Sequence, residues 1–328
     1  MKILVTGANG HLGNNIVRYL LNENIQVFSG VRAGANVSML TTLSTEIVTL
    51  DYKSVKQLSE VFSQGDVVIH TAAVFKRWAR NAQKEIIDQN VNLSENIVNA
   101  AADAGIKKLI YISSLAALDD TQQPMDETSW NQLKQRPYSY SKSLSEQKAI
   151  QIAKERGLTI STLLPSAIIG ENFNGLTPTL KIFADIVNNK LPMIPHFNFL
   201  FINVKDVARA AFLAIEYARD GERYIISDTC KYSIEQVFEL AQRSFPQLKL
   251  KKPSIAPKPM LYFMACLGEN ISKITGKEPL LTVEDLNELW NASPQVNVSK
   301  AKRELGFEAS AVEAGMLETF KFLNPALR

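Results

Sequence analysis

Apolar runs alternate with amphipathic stretches through the first half of the chain. The apolar runs are rich in Val and Ile and nearly continuous in apolar character, which is typical of strands buried on both faces of a sheet. They predict strands at Lys2–Thr6, Gln26–Val31, Glu46–Leu50, Val67–Thr71, Lys108–Ser113 and Thr159–Leu164. The stretches between them predict helices at His11–Asn22, Ser54–Phe62, Ala82–Ala104 and Tyr138–Arg156. This alternation predicts an α/β fold with a doubly wound, Rossmann-type parallel sheet.

The pattern changes in the second half, where prolines become frequent and the elements are mixed. One strand is predicted at Arg223–Ile226. Helices are predicted near Thr179–Asn189, Val204–Tyr217, Ile234–Ser244, Met260–Thr275, Val283–Trp290, Val298–Leu305 and Val312–Phe322. We expect this half to form a smaller mixed α/β lobe that closes a substrate cleft.

Three glycines lie between the first predicted strand and the first predicted helix, in the segment Thr6-Gly-Ala-Asn-Gly-His-Leu-Gly13. A strand, a glycine turn and a helix start are what the pyrophosphate of a dinucleotide needs. Gly7 allows the tight turn, Gly10 lets the backbone approach the phosphates, and Gly13 lets the helix sit close to the strand. The helix N-terminus offers free N–H groups to the anion. The segment therefore predicts a dinucleotide site in a domain spanning residues 1–170, with residues 171–328 mostly a substrate-binding lobe and 201–227 returning to the large domain.

Arg32 follows the second predicted strand, where a dinucleotide-binding domain meets the adenosine ribose. No Asp or Glu lies between Glu23 and Glu46. A carboxylate there would repel a 2′-phosphate, whereas a guanidinium matches it in charge and geometry. The sequence therefore predicts NADP(H) as the cofactor.

Tyr138 and Lys142 are four residues apart and share one face of a predicted helix. A phenol has a pKa near about 10 and is protonated at neutral pH, and a nearby ammonium lowers that pKa. Such a tyrosine can donate a proton to the oxygen of a carbonyl that is being reduced. Tyr140 is the rival tyrosine, but Leu144 stands four residues after it and cannot take the part of the lysine.

The bulk composition excludes several classes of function. Of 328 residues, 46% are hydrophobic and 21% charged, which describes an ordinary globular protein. The net charge of +3 is too small for a dedicated nucleic-acid binder. No apolar run reaches the about 20 residues needed to span a bilayer, so we expect no membrane partner. The lysines of the basic cluster at 249–258 are interpreted as a solvated loop.

Other features point to a cytoplasmic protein without a metal site. Cys230 and Cys266 have no metal-binding spacing, and three histidines offer little for a metal centre. The first predicted strand begins at Lys2, which leaves no room for a leader.

These motifs together resemble the extended short-chain dehydrogenase/reductases of the NAD-dependent epimerase/dehydratase superfamily, most closely the dihydroflavonol-4-reductase-like branch. The resemblance rests on TGANGHLG at 6–13, Asp51, HTAA at 70–73, NVNLSENIVNAA at 90–101, YISS at 111–114, YSYSK at 138–142, LPSAIIG at 164–170, VKDVA at 204–208 and NVSKAKRELGF at 297–307. It departs from the common pattern at Leu93-Ser94, Leu164 and Gly170-Glu171.

The resemblance implies a catalytic set of Ser114, Tyr138 and Lys142, with Asn90 near the active site. It implies cofactor contacts at Gly7, Asn9, Gly10, His11, Leu12, Gly13, Arg32, Asp51, Tyr52, Thr71, Ala72, Ala73, Tyr138, Lys142, Pro165 and Ser166. It also implies a possible homodimer through helices 82–104 and 138–156. The only other partner expected is a small-molecule substrate.

Three functions compete at this stage: an NADPH-dependent carbonyl reductase, a nucleotide-sugar epimerase with tightly bound NAD(P), and a non-catalytic NADP-binding sensor. Dehydratases of the superfamily carry an Asp-Glu pair after the active-site hydroxyl, whereas Leu115-Ala116-Ala117 follows Ser114. The aromatics Phe197, Phe199 and Phe201 are interpreted first as the buried face of a strand. A sugar-nucleotide substrate remains an alternative because of the cationic side chains Arg77, Arg80 and Arg209. An apolar substrate is the other alternative, suggested by Phe75 and Trp78. A sensor has no need of the catalytic set.

Overall fold

The computed structural model describes residues 1–327. Its strands are β1 (Lys2–Thr6), β2 (Gln26–Val31), β3 (Glu46–Thr49), β4 (Val67–His70), β5 (Lys108–Ile112), β6 (Ile160–Pro165), β7 (Ala167–Ile169), β8 (Met193–Ile194), β9 (Asn198–Asn203), β10 (Arg223–Ile226), β11 (Lys231–Ser233) and β12 (Ser254–Ile255). Its α-helices are α1 (His11–Asn22), α2 (Val55–Phe62), α3 (Asp88–Asp103), α4 (Pro137–Arg156), α5 (Pro178–Val187), α6 (Val204–Tyr217), α7 (Ile234–Ser244), α8 (Lys258–Thr275), α9 (Val283–Leu289), α10 (Ser299–Leu305) and α11 (Val312–Leu323).

Seven strands form one parallel sheet in the order β3-β2-β1-β4-β5-β6-β10. The chain moves outward from β1 to β3 and then returns to build β4 on the other side of β1. The strand order therefore reverses between β1 and β4, and the carboxyl ends of these strands open a crevice where α/β folds bind ligands. The predicted doubly wound sheet is confirmed.

Helices cover both faces of this sheet because its strands are apolar on both sides. Ile3 and Val5 of β1 face a core that contains α1 and α6. Leu4 faces the opposite core, which contains α2, α3 and α4. One buried core on each side of the sheet holds the strands in place. The loops that leave the strand ends therefore start from fixed positions.

The second half of the chain adds a smaller lobe and one strand of the large sheet. β10 pairs with β6, while β9 pairs with β7 in parallel and with β11 in antiparallel. Phe183, Phe201 and Phe320 pack together in the core beside these strands. The boundaries proposed for the two domains remain a prediction.

The segment expected as one helix over 82–104 is divided. A π-helical turn occupies Gln83–Ile87, and α3 follows it directly. Within residues 1–327, none of the helices has the length and apolar content needed to cross a bilayer.

Candidate active site

The glycine loop after β1 lies in the crevice and is packed without spare room. Gly7 has φ +67°, and a Cβ added to it would lie 2.9 Å from the Thr71 hydroxyl oxygen. A Cβ on Gly13 would lie 2.8 Å from the carbonyl carbon of Gly7. The Gly7 N–H donates to the Tyr52 hydroxyl at 3.1 Å. The loop is therefore packed against the segment after β4 and against the start of α1, which leaves no room for a side chain at Gly7 or Gly13.

The N-terminus of α1 is open toward the same crevice. Gly10 precedes the helix, and no side chain caps its first N–H groups. His11 starts the helix, and its ring stacks on Phe173 at 5.6 Å. Burial lowers the pKa of His11 to about 4, so the ring is neutral at physiological pH. Free N–H groups and the positive end of a helix dipole are the features that favour an anion, so the predicted phosphate contacts here remain a prediction.

Three further residues of the predicted cofactor set lie at the ends of β2 and β3. Arg32 follows β2 directly and is exposed. Burial raises the pKa of the Tyr52 phenol, and the positive charge of Arg32 acts on it in the opposite direction. Asp51 accepts a hydrogen bond from the Lys53 N–H at 3.0 Å. Tyr52 contacts Gly7 and is near enough to Arg32 to be affected by its charge. Arg32 and the glycine loop therefore lie on the same side of the crevice.

Tyr138 lies in the first turn of α4, beneath the exposed ring of Phe75. The two ring centroids are 4.6 Å apart. Burial raises the pKa of Tyr138 to about 12, while its hydrogen-bonding interaction with Ser114 and the charge of Arg77 lower it. From the sequence, Lys142 is expected to lower this pKa. In the structure Arg77 supplies that positive charge, and desolvation outweighs it, so the phenol is held in its protonated form.

Lys142 follows Tyr138 by one helical turn and is buried against the end of β5. Its Nζ lies 3.4 Å from the carbonyl oxygen of Ile112, to which it donates. Burial lowers the pKa of Lys142 to about 8, and the charge of Glu146 acts to raise it. The structure thus places a cation with a reduced pKa on the same helix face as Tyr138.

The two serines after β5 have different partners. Ser113 donates to the buried Glu146 carboxylate at 2.5 Å. Ser114 accepts from the Ala116 N–H at 3.2 Å and interacts with Tyr138. The structure therefore brings Ser114, rather than Ser113, to the tyrosine, and its catalytic role stays a prediction.

Asn90 is buried and joins two segments of the site. Its side chain donates to the Val74 carbonyl at 3.0 Å and accepts from the Val74 N–H at 2.9 Å. It also donates to the Ser141 hydroxyl at 3.1 Å. Asn90 therefore fixes the segment before Phe75 against α4 and acts as a positioning residue.

Sequence reasoning missed the ion pair that anchors α4. Glu146 is fully buried and pairs with Arg223 of β10 at 2.8 Å, while Thr162 of β6 donates to the same carboxylate at 2.7 Å. The spacing along the helix could have indicated Glu146, because it follows Lys142 by four residues and Lys142 follows Tyr138 by four. The partner on β10 could not be read from spacing along one helix.

A second group of charges, also missed as a group, lies on the other side of Tyr138. The Arg77 guanidinium forms ion pairs with Asp285 and, at 2.8 Å, with Glu288, both on α9. Burial raises the pKa of Glu288, and Arg77 opposes this effect. These pairs hold the loop after β4 against the C-terminal lobe, next to the tyrosine.

The remaining predicted cofactor residues fall around the same crevice. Ala72 and Ala73 follow β4, and Pro165 ends β6. The Ser166 hydroxyl is buried without a hydrogen-bond partner among the described residues. A glycine cradle that a side chain would fill, an open helix N-terminus and an unpartnered hydroxyl together fit a dinucleotide.

Of the three alternating aromatics, Phe199 and Phe201 lie on β9, and Phe197 directly precedes it. Phe197 and Phe201 are buried, Phe199 is half-buried, and Phe201 packs on Phe183 in the smaller lobe. The interpretation as the buried face of a strand agrees with the packing of Phe201.

The chain is similar to a known protein family, to several named proteins and to solved structures. The model of the NAD dependent epimerase/dehydratase family matches residues 3–227. Sterol demethylase protein B of Methylococcus capsulatus is 25% identical and covers 97% of this chain and 97% of its own. A 4-hydroxy-2-methyl-3-oxo-4-farnesyl-3,4-dihydroquinoline-1-oxide ketoreductase of Stigmatella aurantiaca is 26% identical over 99% of this chain and 97% of its own. The crystal structure of gox2253 is 26% identical, with a TM-score of 0.83 over 99% of this chain and 98% of that chain.

Proposed function

The chain belongs to the NAD-dependent epimerase/dehydratase family of NAD(P)-dependent enzymes, and from this premise we propose that it reduces a carbonyl to an alcohol with NADPH. The observation that carries the proposal is the meeting of Ser114 and Tyr138 at the carboxyl end of the sheet, one helical turn from Lys142. A protonated phenol beside a second hydroxyl suits the oxygen of a carbonyl.

The cofactor supplies a hydride to the carbonyl carbon when it is bound. The chain's own groups hold and protonate the carbonyl oxygen. Ser114 donates a hydrogen bond to that oxygen, and Tyr138 transfers its phenolic proton to it as negative charge develops. The resulting phenolate is stabilised by the positive charge of Arg77, and a proton from solvent restores the phenol.

The cofactor choice rests on Arg32. It is exposed at the end of β2 and close enough to Tyr52 to influence its pKa. No carboxylate accompanies it between Glu23 and Glu46. A guanidinium in this position favours the 2′-phosphate of NADPH over the ribose hydroxyl of NADH.

Reduction is favoured over epimerisation or dehydration by the charges around Tyr138. The residues after Ser114 are apolar, so this segment lacks the carboxylates that dehydratases of the superfamily carry there. Arg77 is engaged by Asp285 and Glu288, which leaves it less available for a nucleotide diphosphate. Phe75 instead presents an exposed aromatic ring beside the phenol. We therefore propose an apolar substrate, consistent with the sterol and farnesyl groups in the names of two relatives.

The test is NADPH oxidation by the purified full chain with a panel of apolar aldehydes, ketones and flavanonols. UDP-sugars are tested beside them by detection of the epimerised product, because epimerisation consumes no net NADPH. Tyr138→Phe should lower kcat by about 10²–10⁴-fold on the best substrate, since general acid catalysis contributes in that range.

Tyr140→Phe is the matched control, because it removes a phenol from the same helix turn without a predicted role. NADPH binding by both variants reports whether the fold is intact. Equal turnover by the two variants would disprove the role of Tyr138, and turnover of UDP-sugars alone would replace the reductase by an epimerase.

A further inference from the structure

Helix α8 exposes an apolar face. Phe263 is 70% exposed, Leu267 and Ile271 are each 50% exposed, and Ile274 is 81% exposed. Met264 adds to the same surface with 54% exposure. Single exposed apolar residues are ordinary, but a contiguous set of this size marks a contact surface.

The spacing shows that these residues form one stripe. Phe263, Leu267, Ile271 and Ile274 follow at intervals of four, four and three, so they lie on one side of the helix. The opposite side carries the buried Leu261, Ala265 and Ser272, which attach α8 to the lobe. The helix thus has an apolar side in the core and a second apolar side in solvent.

Lysines flank the exposed stripe at both ends. Lys258 starts the helix, Lys273 lies in its last turn, and Lys277 follows it. Between Gln247 and Gly268 there are four lysines and no acidic residue.

The acidic side chains near the stripe are engaged elsewhere. Glu269 accepts from the Val283 N–H at 2.8 Å, and Glu278 accepts from the Arg77 N–H at 2.9 Å. These bonds orient the two carboxylates but leave them charged, so Lys258, Lys273 and Lys277 exceed Glu269 and Glu278 by one positive charge, three against two.

We propose that α8 docks on the surface of an anionic lipid bilayer, lying in the plane of the interface. Its apolar stripe would enter the acyl boundary while the lysines meet lipid phosphates. A second copy of the chain suits this surface less well, since pairing two stripes would bring lysines of equal charge together. This proposal replaces the expectation of no membrane partner, because docking on the surface needs no segment that spans the bilayer.

The docked helix would bring the bilayer close to the candidate active site. The Arg80 guanidinium donates to the Ile274 carbonyl at the end of α8. The same loop carries Phe75, which packs on Tyr138. An apolar molecule leaving the bilayer would therefore meet this loop first.

Co-sedimentation of the full chain with vesicles tests the proposal without cofactor or substrate, so its result is independent of the proposed reaction. We expect binding to vesicles of mixed phosphatidylcholine and phosphatidylglycerol, and weaker binding to phosphatidylcholine alone. A double variant, Phe263→Ser with Leu267→Ser, should lower the partition coefficient by about tenfold or more. The variant Lys273→Gln with Lys277→Gln should lower it as well, and so should added salt.

The matched control is Ile47→Ser with Tyr217→Ser, which removes two exposed apolar side chains from distant elements. This control should bind vesicles like the unchanged chain, and thermal unfolding should show all variants folded. If the unchanged chain stays in the supernatant with the anionic vesicles, the proposal is wrong. If it instead forms a dimer in solution that the Phe263/Leu267 variant dissociates, a second copy covers the stripe and the lipid proposal is overturned.

Discussion

Arg32 is the residue on which the cofactor preference depends. Arg32→Gln removes the positive charge proposed to meet the 2′-phosphate and keeps a polar side chain in place. We expect the ratio of kcat/KM for NADPH to that for NADH to fall by about 10–100-fold, since one hydrogen bond to a charged group contributes about 1.5–3 kcal/mol. Steady-state kinetics with both cofactors measure this ratio.

Arg243→Gln is the control, because Arg243 lies on α7 of the smaller lobe and is largely exposed. It should leave the cofactor ratio unchanged. An unchanged ratio in Arg32→Gln as well would mean that another group selects the cofactor.

Gly13 is packed so closely in the glycine loop after β1 that even the methyl group of an alanine would not fit. A Cβ at this position would lie 2.9 Å from the Ala8 Cα, which no real Cβ tolerates without a shift of backbone. Gly13→Ala should therefore destabilise the fold by about 1–3 kcal/mol and weaken NADPH binding. Chemical denaturation and cofactor titration measure the two effects.

Gly268→Ala gives the opposite expectation within a helix. Its added Cβ would meet only the Pro279 Cβ, at an ordinary 3.6 Å. Helix propensity should then stabilise the chain by about 0.5–1 kcal/mol. A loss of stability in this variant equal to that in Gly13→Ala would show that crowding is not the reason for the glycine at 13.

The identity of the site residues could be read from spacing, but their protonation could not. Tyr138 and Lys142 fall on one face because a helix repeats every 3.6 residues, whatever surrounds it. Their pKa shifts come from burial under Phe75 and against β5, which depends on contacts between segments far apart in the chain. For this reason the sequence argument gave Lys142 the part that Arg77 takes in the structure.

At the level of elements, α4 connects the candidate chemistry to the sheet. Glu146→Gln would leave Arg223 as a buried cation without its charge partner. We expect the free energy of unfolding to fall by about 3–5 kcal/mol, because breaking a buried pair from one side leaves an uncompensated charge. Urea denaturation measures the loss, and the activity of the folded fraction should fall as α4 shifts.

The same helix provides the control for this substitution. Glu155 accepts from Gln151 on the exposed side of α4, so Glu155→Gln should change stability little. A loss in Glu146→Gln no larger than in Glu155→Gln would show that the pair does not anchor the helix.

The elements that the sequence predicted best are those with a strong apolar period and clear ends. The bounds of β1, β2, α1, α6, β10 and α7 agree with the prediction. The short strands β8, β11 and β12 were not predicted, since two or three residues hold no periodic signal. The π-helical turn before α3 was also missed, because its residues continue the helical pattern and only their tertiary contacts alter the winding.

At the scale of the whole molecule, two predictions about assembly stay open. The division near residue 170 remains a prediction, although β10 extends the large sheet from beyond it. The homodimer through residues 82–104 and 138–156 also remains a prediction. A dimer of that kind would not respond to substitutions on α8, which separates it from a dimer formed through the apolar stripe.

Two buried histidines, His70 and His11, make the stability of the molecule depend on pH in a defined window. Burial lowers the pKa of His70 to about 3, and the nearby charge of Lys142 acts in the same direction. Burial also lowers the pKa of His11 to about 4. Both groups have an ordinary pKa of 6.5 when the chain is unfolded. Below that value the unfolded chain binds protons that the folded chain refuses, so the stability present above pH 6.5 is lost as the pH falls.

Each buried histidine should cost about 2 kcal/mol of unfolding free energy between pH 8 and pH 5. His70→Asn keeps a partner for the Thr6 hydroxyl, which lies 2.8 Å from Nδ1 of His70, and removes the titrating ring. Urea denaturation across this pH range should then show that the free energy of unfolding falls by about 2 kcal/mol less than in the unchanged chain. His196→Gln is the control, because His196 is exposed, and it should leave the slope unchanged. A slope in His70→Asn equal to that of the unchanged chain would mean that His70 takes up its proton at the same pH in the folded and the unfolded protein.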